Sequence, residues 1–253
     1  MSWAARRRFY ILGGIGAVVA AFIIVVLIAT LYKVPSCTDT VQNQGEQGVD
    51  CGGPCPYLCS TQVQPPIVEF VRPFSPSAGR TDMIAYVDNQ NPSAVVRGAS
   101  YRIDLYGPDN VIVATKTGTV DLPAKSTTPV FVPDFFSGSQ TVTHAFLTFD
   151  PATLKWQTYT EARTLPTVAS AELSSVSGAP RVTAVINNPD VQTLYSVLAV
   201  VTLFDASGNA ISASQTVVDK IPAQGSATAI FTWNQAFTAP VARIEVTPLL
   251  PLP

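Results

Sequence analysis

The sequence predicts a mainly β protein, with a single N-terminal transmembrane helix followed by two tandem immunoglobulin-like β-sandwiches. Three observations predict this. Residues 9–32 form an uncharged, mostly apolar run; a strand-and-turn pattern occurs twice between residues 67 and 253; and no convincing helix follows Tyr32. The resulting segments are a basic tail (1–8), a spanning helix (9–32), a cysteine-rich neck and linker (33–65), a first sandwich (66–165) and a second that repeats it (166–253).

The apolar run covers 24 positions. About 20 apolar residues suffice to cross a hydrocarbon core of about 30 Å. Arg6, Arg7 and Arg8 precede the run and Lys33 follows it. The positive-inside rule then keeps the N-terminus in the cytoplasm and exports the rest, making a single-pass cell-membrane protein. The rival reading is a cleaved signal peptide, whose apolar region is shorter, about 7–15 residues, and ends in small residues. No Ala-x-Ala follows here, and Pro35 spoils a lipobox at 34–37. Gly13, Ala17 and Ala21 share one helical face, an arrangement that lets spanning helices pack into a homo-oligomer.

After residue 32 the chain carries 12 basic and 17 acidic residues, and no basic patch stands out. Nucleic acid is therefore not an expected partner. The lipid bilayer, through 9–32, and an unidentified envelope or surface protein are. The 21 prolines lie mostly between apolar runs, as expected where proline is confined to sheet edges and turns. Residues 62–66 and the proline-rich 72–76 read as a spacer and the entry to the first sandwich.

All four cysteines, Cys37, Cys51, Cys55 and Cys59, fall between residues 36 and 60. An even number at this density in an exported chain reads as two disulfides, with three pairings open. Zinc is the rival, without a nearby histidine or a paired CxxC. Asp39, Asn43, Glu46 and Asp50 are candidate calcium ligands, because calcium is a hard cation that takes six to eight oxygens. The loop does not follow the EF-hand pattern, and a polar, turn-rich loop is the plainer reading. No other cofactor is expected. The segment resembles a short motif, C-x-D-x-x-x-N-x-x-E-x-x-x-D-C-G-G-x-C, that recurs in secreted and surface proteins of bacteria and archaea. The resemblance implies an extracytoplasmic surface module and no known reaction.

The duplication rests on four landmarks in constant order. Residues 83–92 match 182–189 as a strand ending in Asn-Pro, 97 positions on. Residues 101–110 match 199–209 as an alternating strand and hairpin turn, 122–126 match 221–226, and Val130-Phe131 matches Ile230-Phe231 at 100. Tyr101, Ile103 and Leu105 alternate with Arg102, Asp104 and Tyr106, which gives one buried face and one face in water. Short strands with turn signals between them indicate sandwiches. The motif 201–205, Val-Thr-Leu-Phe-Asp, and its looser counterpart 103–107 resemble the bacterial FxLYD domain. The Asn-Pro and Ile-Pro-Ala turns resemble the water-stress type of late-embryogenesis-abundant domain. Both families are similar to fibronectin type III sandwiches, and the resemblance implies a domain without catalytic residues.

No catalytic constellation is found. His144 is the only histidine and lies in an evident strand, where it reads as structural. A serine-type hydrolase needs nucleophile, base and orienter together, and no Gly-x-Ser-x-Gly, phosphate loop or dinucleotide fingerprint occurs. Phe135 and Phe136 form a candidate exposed contact patch in a loop. The expected function is structural or adhesive protein–protein contact, and the chain is expected not to be an enzyme. The alternative is glycan or peptidoglycan binding, which aromatic rings exposed on a sheet face would favour.

Overall fold

The computed structural model describes residues 3–31, 36–77, 79–135, 138–159, 164–175 and 178–252. Tyr32 and Phe136 lie outside the described residues. The chain divides into two units, 1–55 and 56–253.

In the first unit, α1 spans Trp3–Leu31. Its stretch Arg6–Thr30 is long and apolar enough to cross a membrane. The second unit is built from β1 (Ile67–Ser77), β2 (Arg80–Asn89), β3 (Ala94–Tyr106), β4 (Ile112–Leu122), β5 (Ser126–Val132), β6 (His144–Phe149), β7 (Trp156–Thr158), β8 (Thr167–Ser174), β9 (Arg181–Asn187), β10 (Leu194–Phe204), β11 (Ala210–Ile221), β12 (Ser226–Thr232) and β13 (Arg243–Leu249). They form four antiparallel sheets. Sheet 1 is β4-β3-β6 with β7 added to β3; sheet 2 is β1-β2-β5; sheet 3 is β11-β10-β13; sheet 4 is β12-β9-β8. Three buried clusters lie between them. One, including Met83, Val96, Ile103, Leu105 and Trp156, joins sheets 1 and 2. A second, including Val182, Ile186, Leu203 and Phe231, joins sheets 3 and 4. The third joins sheet 2 to sheet 3 through Ile84, Tyr86, Val200, Phe204, Ala210 and Ala213. The order is therefore 1-2-3-4, two sandwiches fused face to face.

The alternation expected at 101–106 is present. Ile103 and Leu105 are fully buried, whereas Arg102 is exposed and Tyr106 half-buried. Residues 72–76 differ from expectation: they are not a spacer but part of the edge strand β1, which among the described residues pairs with β2 alone. An edge strand tolerates Pro73 and Pro76, which would interrupt a central ladder. Two landmarks also shift. Asn89, not the position before Pro92, corresponds to Asn188, 99 positions on; each is a buried amide with a common set of carbonyl partners. Val132 corresponds to Phe231, since their partners Met83 and Val182 also lie 99 apart. Aligning Phe131 with Phe231 is a slip of one residue, which in a strand exchanges the two faces. Phe231 indeed fills a sandwich core while Phe131 packs at the junction.

Gly118 pairs with Tyr101 across β3 and β4. A Cβ at this glycine would come within 2.3 Å of the tyrosine hydroxyl. Gly118→Val is expected to destabilise the first sandwich by about 1–3 kcal/mol through overpacking. Thermal unfolding at neutral pH measures this, and an unchanged midpoint would show that Tyr101 swings away at no cost.

Candidate functional site

The loop between residues 36 and 55 is organised by carboxylates acting on its own backbone. Asp50 accepts from the Asp39 and Thr40 amides, at 3.0 Å each for the shorter contacts. Asp39 accepts from Val41 N–H at 2.9 Å and from the Asn43 amide at 2.8 Å. The buried Glu46 accepts from Asp50 N–H at 3.2 Å. The four candidate calcium ligands thus serve as turn braces, with Asn43 Oδ1 buried and unpartnered. Gly53 has a φ of +59°, and a Cβ there would meet the Gly45 carbonyl at 2.3 Å; this close approach explains the glycine after Cys51-Gly52.

Cys37 and Cys55 are joined in a disulfide that closes 18 positions, and Cys51 and Cys59 are disulfide-bonded as well. Glu46 Oε1 lies 3.0 Å from the Cys55 sulfur. Because that sulfur is oxidised, Cys37, Glu46 and Cys55 offer no thiolate to a metal. A loop of this length loses about 3 kcal/mol of constraint when its disulfide opens. Reduction is therefore expected to expose residues 36–55 to proteolysis, read by mass mapping with and without reductant; equal cleavage in both would show that the carboxylate braces suffice.

Phe135 is not an exposed contact residue. It is 3% exposed, packed in the core of the first sandwich, with Lys116 Nζ 5.7 Å from its ring. It lies outside the strands, as expected, but its own side chain turns into the core.

Surface aromatics occur instead on the outer face of sheet 1. Tyr106 and His144 are cross-strand partners whose rings stack at 5.0 Å and 4°. Phe146 stands edge-on to both, at 5.6 and 5.5 Å, and is 56% exposed. Thr143 Oγ1 lies 3.0 Å from His144 Nδ1. Beside them Arg102 and Asp104 form an ion pair at 2.9 Å. The sequence contained a signal for this cluster: Phe204 lies 98 positions beyond Tyr106 and Arg243 lies 99 beyond His144, and the later pair is also stacked, with the guanidinium 3.7 Å from the ring.

A cleft of about 820 Å³ opens where the two sandwiches meet. Arg72, Arg80, Phe74, Gln215, Trp233 and Phe237 are among its walls. Arg80 donates to both oxygens of Asp82 and pairs with Asp134 at 3.0 Å. The hydrogen bond to Asp82, foremost, and the two negative charges hold its guanidinium above the usual arginine range. With Arg80 balanced in this way, the cleft is an amphipathic rather than a strongly charged space.

No family model matches the sequence, and no curated protein does. Among solved structures, a red sea bream transglutaminase is similar, at 14% identity and a TM-score of 0.24, over 74% of this chain and 31% of that one. The chain thus spans about a third of that protein's length, and so distant a likeness carries no argument about activity.

Proposed function

We propose that the chain is a membrane-tethered, extracytoplasmic interaction protein without enzymatic activity, held N-terminus inward by α1 and acting through protein contact on the outer face of sheet 1. One observation carries this reading. The Tyr106–His144–Phe146 cluster, half-buried except for the exposed Phe146, stands where the equivalent sheet 3 carries Phe204, Arg243 and Glu245, which lie at or beside a buried sheet-to-sheet junction. A face of that descent is shaped for another protein surface. The arginines at 6–8 and the disulfides support the orientation, since disulfides persist in oxidising compartments. The resemblance to FxLYD-type domains supports the non-catalytic part.

A photoreactive phenylalanine placed at position 146 tests it in intact cells. The expected result is a protein adduct from position 146 and none from position 228 on sheet 4; no adduct at 146 defeats the reading. Protease added outside the cell is expected to digest residues 56–253, and protection of that unit would defeat the orientation.

The cleft favours a second reading, a neutral glycan ligand, because it pairs aromatic walls with balanced hydrogen-bonding groups. The sheet 1 rings favour it less, since Tyr106 and His144 cover each other's faces. Binding of an oligosaccharide that Phe237→Ala abolishes would establish it.

A further inference from the structure

Sheet 1 corresponds to sheet 3, and sheet 2 to sheet 4, by strand order and register. The junction between sheets 2 and 3 therefore joins two faces that are not equivalent. It also brings two sheet edges together, β1 of sheet 2 and β11 of sheet 3.

The cleft runs along both edges. Its walls include every residue of 72–77 and every residue of 210–215. A space over a sheet face touches alternate residues, because successive side chains point to opposite faces. Contact with consecutive residues marks an edge. Among the described residues β1 pairs with β2 alone and β11 with β10 alone.

The two edges differ in what they offer. On β1, Pro73 and Pro76 have no N–H to donate, and the register shifts between Phe74 and Ser77. On β11, residues 210–215 read Ala-Ile-Ser-Ala-Ser-Gln, without proline or charge. After a shift at Ile211 the register with β10 is unbroken from Ser212 to Val218. The counterpart edge in sheet 1 is β4. It carries the exposed Lys116 where β11 carries Ser214, since their partners Ile103 and Val201 also lie 98 apart. A lysine on an edge discourages strand addition. β11 lacks that guard, and its small side chains let another backbone come close.

We propose that β11 is a docking edge: an extended segment of a partner protein, bearing an acidic side chain, adds to sheet 3 along 212–215 within the cleft. Main-chain hydrogen bonds hold such a segment, and its alternate side chains meet the walls. One wall is the Trp233–Phe237 pair, whose rings meet edge-on at 5.1 Å. Another holds Arg72, which is exposed and has no carboxylate within ion-pair distance among the described residues. The nearby Asp205 accepts instead from the Ser207 and Asn209 amides, at 2.9 and 2.8 Å. Arg80 is balanced by Asp82 and Asp134, so Arg72 is the cation that an acidic residue of the segment would meet. A glycan in this cleft would use the rings and leave the strand edge unpaired.

Capped peptides offered to the full chain in detergent micelles test the proposal. The probe is a pooled set, acetyl-Thr-X-Thr-X-Thr-X-Thr-amide with X drawn from Val, Phe and Glu, and retained members are identified by mass spectrometry. Members with a Glu are expected to be retained over those without. In a retained peptide, N-methylation of alternate backbone amides should weaken binding about tenfold or more, while methylation of the intervening amides leaves it nearly unchanged. Only every second amide of an added strand faces the edge. Ser214→Lys, which copies the charge on β4, is expected to abolish retention, and Arg72→Glu to remove the preference for Glu. Thermal midpoints check that both variants fold, and the methylation pattern is read on the parent chain alone. No retained peptide overturns the proposal, and cellohexaose bound in its place assigns the cleft to the glycan reading. Equal effects of the two methylation sets overturn strand addition. Retention that survives both substitutions places the peptide elsewhere and overturns the site. Position 146 is not among the cleft walls, so this test and the adduct test of sheet 1 fail independently.

Discussion

Asn89→Ala is expected to lower the stability of the first sandwich by about 3 kcal/mol, because it strands several buried carbonyls at once. Asn89 is fully buried. Its amide nitrogen donates to Ala94 O at 2.8 Å, Pro123 O at 2.7 Å and Leu122 O at 3.3 Å. Its oxygen accepts from the backbone and the side chain of Asn91, at 3.1 and 2.9 Å. One side chain thus ties the end of β2 to the start of β3 and the end of β4. A buried acceptor left without a donor costs about 1–3 kcal/mol, and three lose theirs, although partial relaxation and water entry reduce the sum. For a unit of this size the thermal midpoint should fall by roughly 6–12 °C. Asn89→Asp is expected to be at least as damaging, since an aspartate side chain of the same shape offers no amide donor to those carbonyls. An aspartate variant as stable as the parent would show that the amide donors are dispensable. Asn188 makes the corresponding bonds to Gln192, Ile221 and Pro222, so Asn188→Ala is expected to produce the same loss in the second sandwich.

Phe204→Ala is expected to uncouple the two sandwiches. Phe204 is 3% exposed and its ring contacts Phe70 and Tyr86 edge-on, at 6.5 and 6.3 Å. Phe70 and Tyr86 stack on each other at 4.8 Å, and Arg243, itself paired with Glu245, covers the other side of Phe204. Truncating a buried phenylalanine costs about 3–5 kcal/mol, and here the loss falls on the contact between sandwiches as well as on the second one. Calorimetry should show a single cooperative transition in the parent and two in the variant; one sharp transition in both would mean that the remaining contacts, such as Leu252 N–H to Asp121 at 2.9 Å, are enough. The same junction should weaken in alkali. Burial holds the Tyr86 phenol well above its ordinary range, so the folded protein keeps it neutral where the unfolded chain ionises it. This contribution is complete below about pH 10, the ordinary tyrosine value, and is lost as pH rises above it. Tyr86→Phe should remove that part of the alkaline loss.

The sandwiches were legible because their signals are local. Alternation around Ile103 and Leu105, hairpin turns and an ordered set of landmarks survive in the sequence whatever the strands pack against. The junction was not legible, because Tyr86 and Phe204 alternate in their strands as any core residue does. Nothing nearby in the chain says which sheet will cover them. Residues 72–76 of β1 were hidden for a different reason: their prolines mark a spacer unless the strand is known to lie at an edge. In the neck, cysteine density was enough to indicate disulfides, while the pairing of Cys37 with Cys55 depends on a backbone path set by Gly45 and Gly53. His144 and Tyr106 could have been singled out together only by carrying the repeat offset across to Arg243 and Phe204.

The non-equivalent junction also sets a schedule for biogenesis. Sheet 2 is complete once Val132 has been made, but the strand that covers it, β10, ends at Phe204. At ordinary synthesis rates the interval is roughly 4–15 seconds. During it the nascent chain carries Phe70, Ile84, Tyr86 and Phe131 on an uncovered sheet. The first sandwich is therefore the half whose apolar sheet stays open while the rest is made, and a chain stopped near residue 165 would be adhesive through that sheet alone.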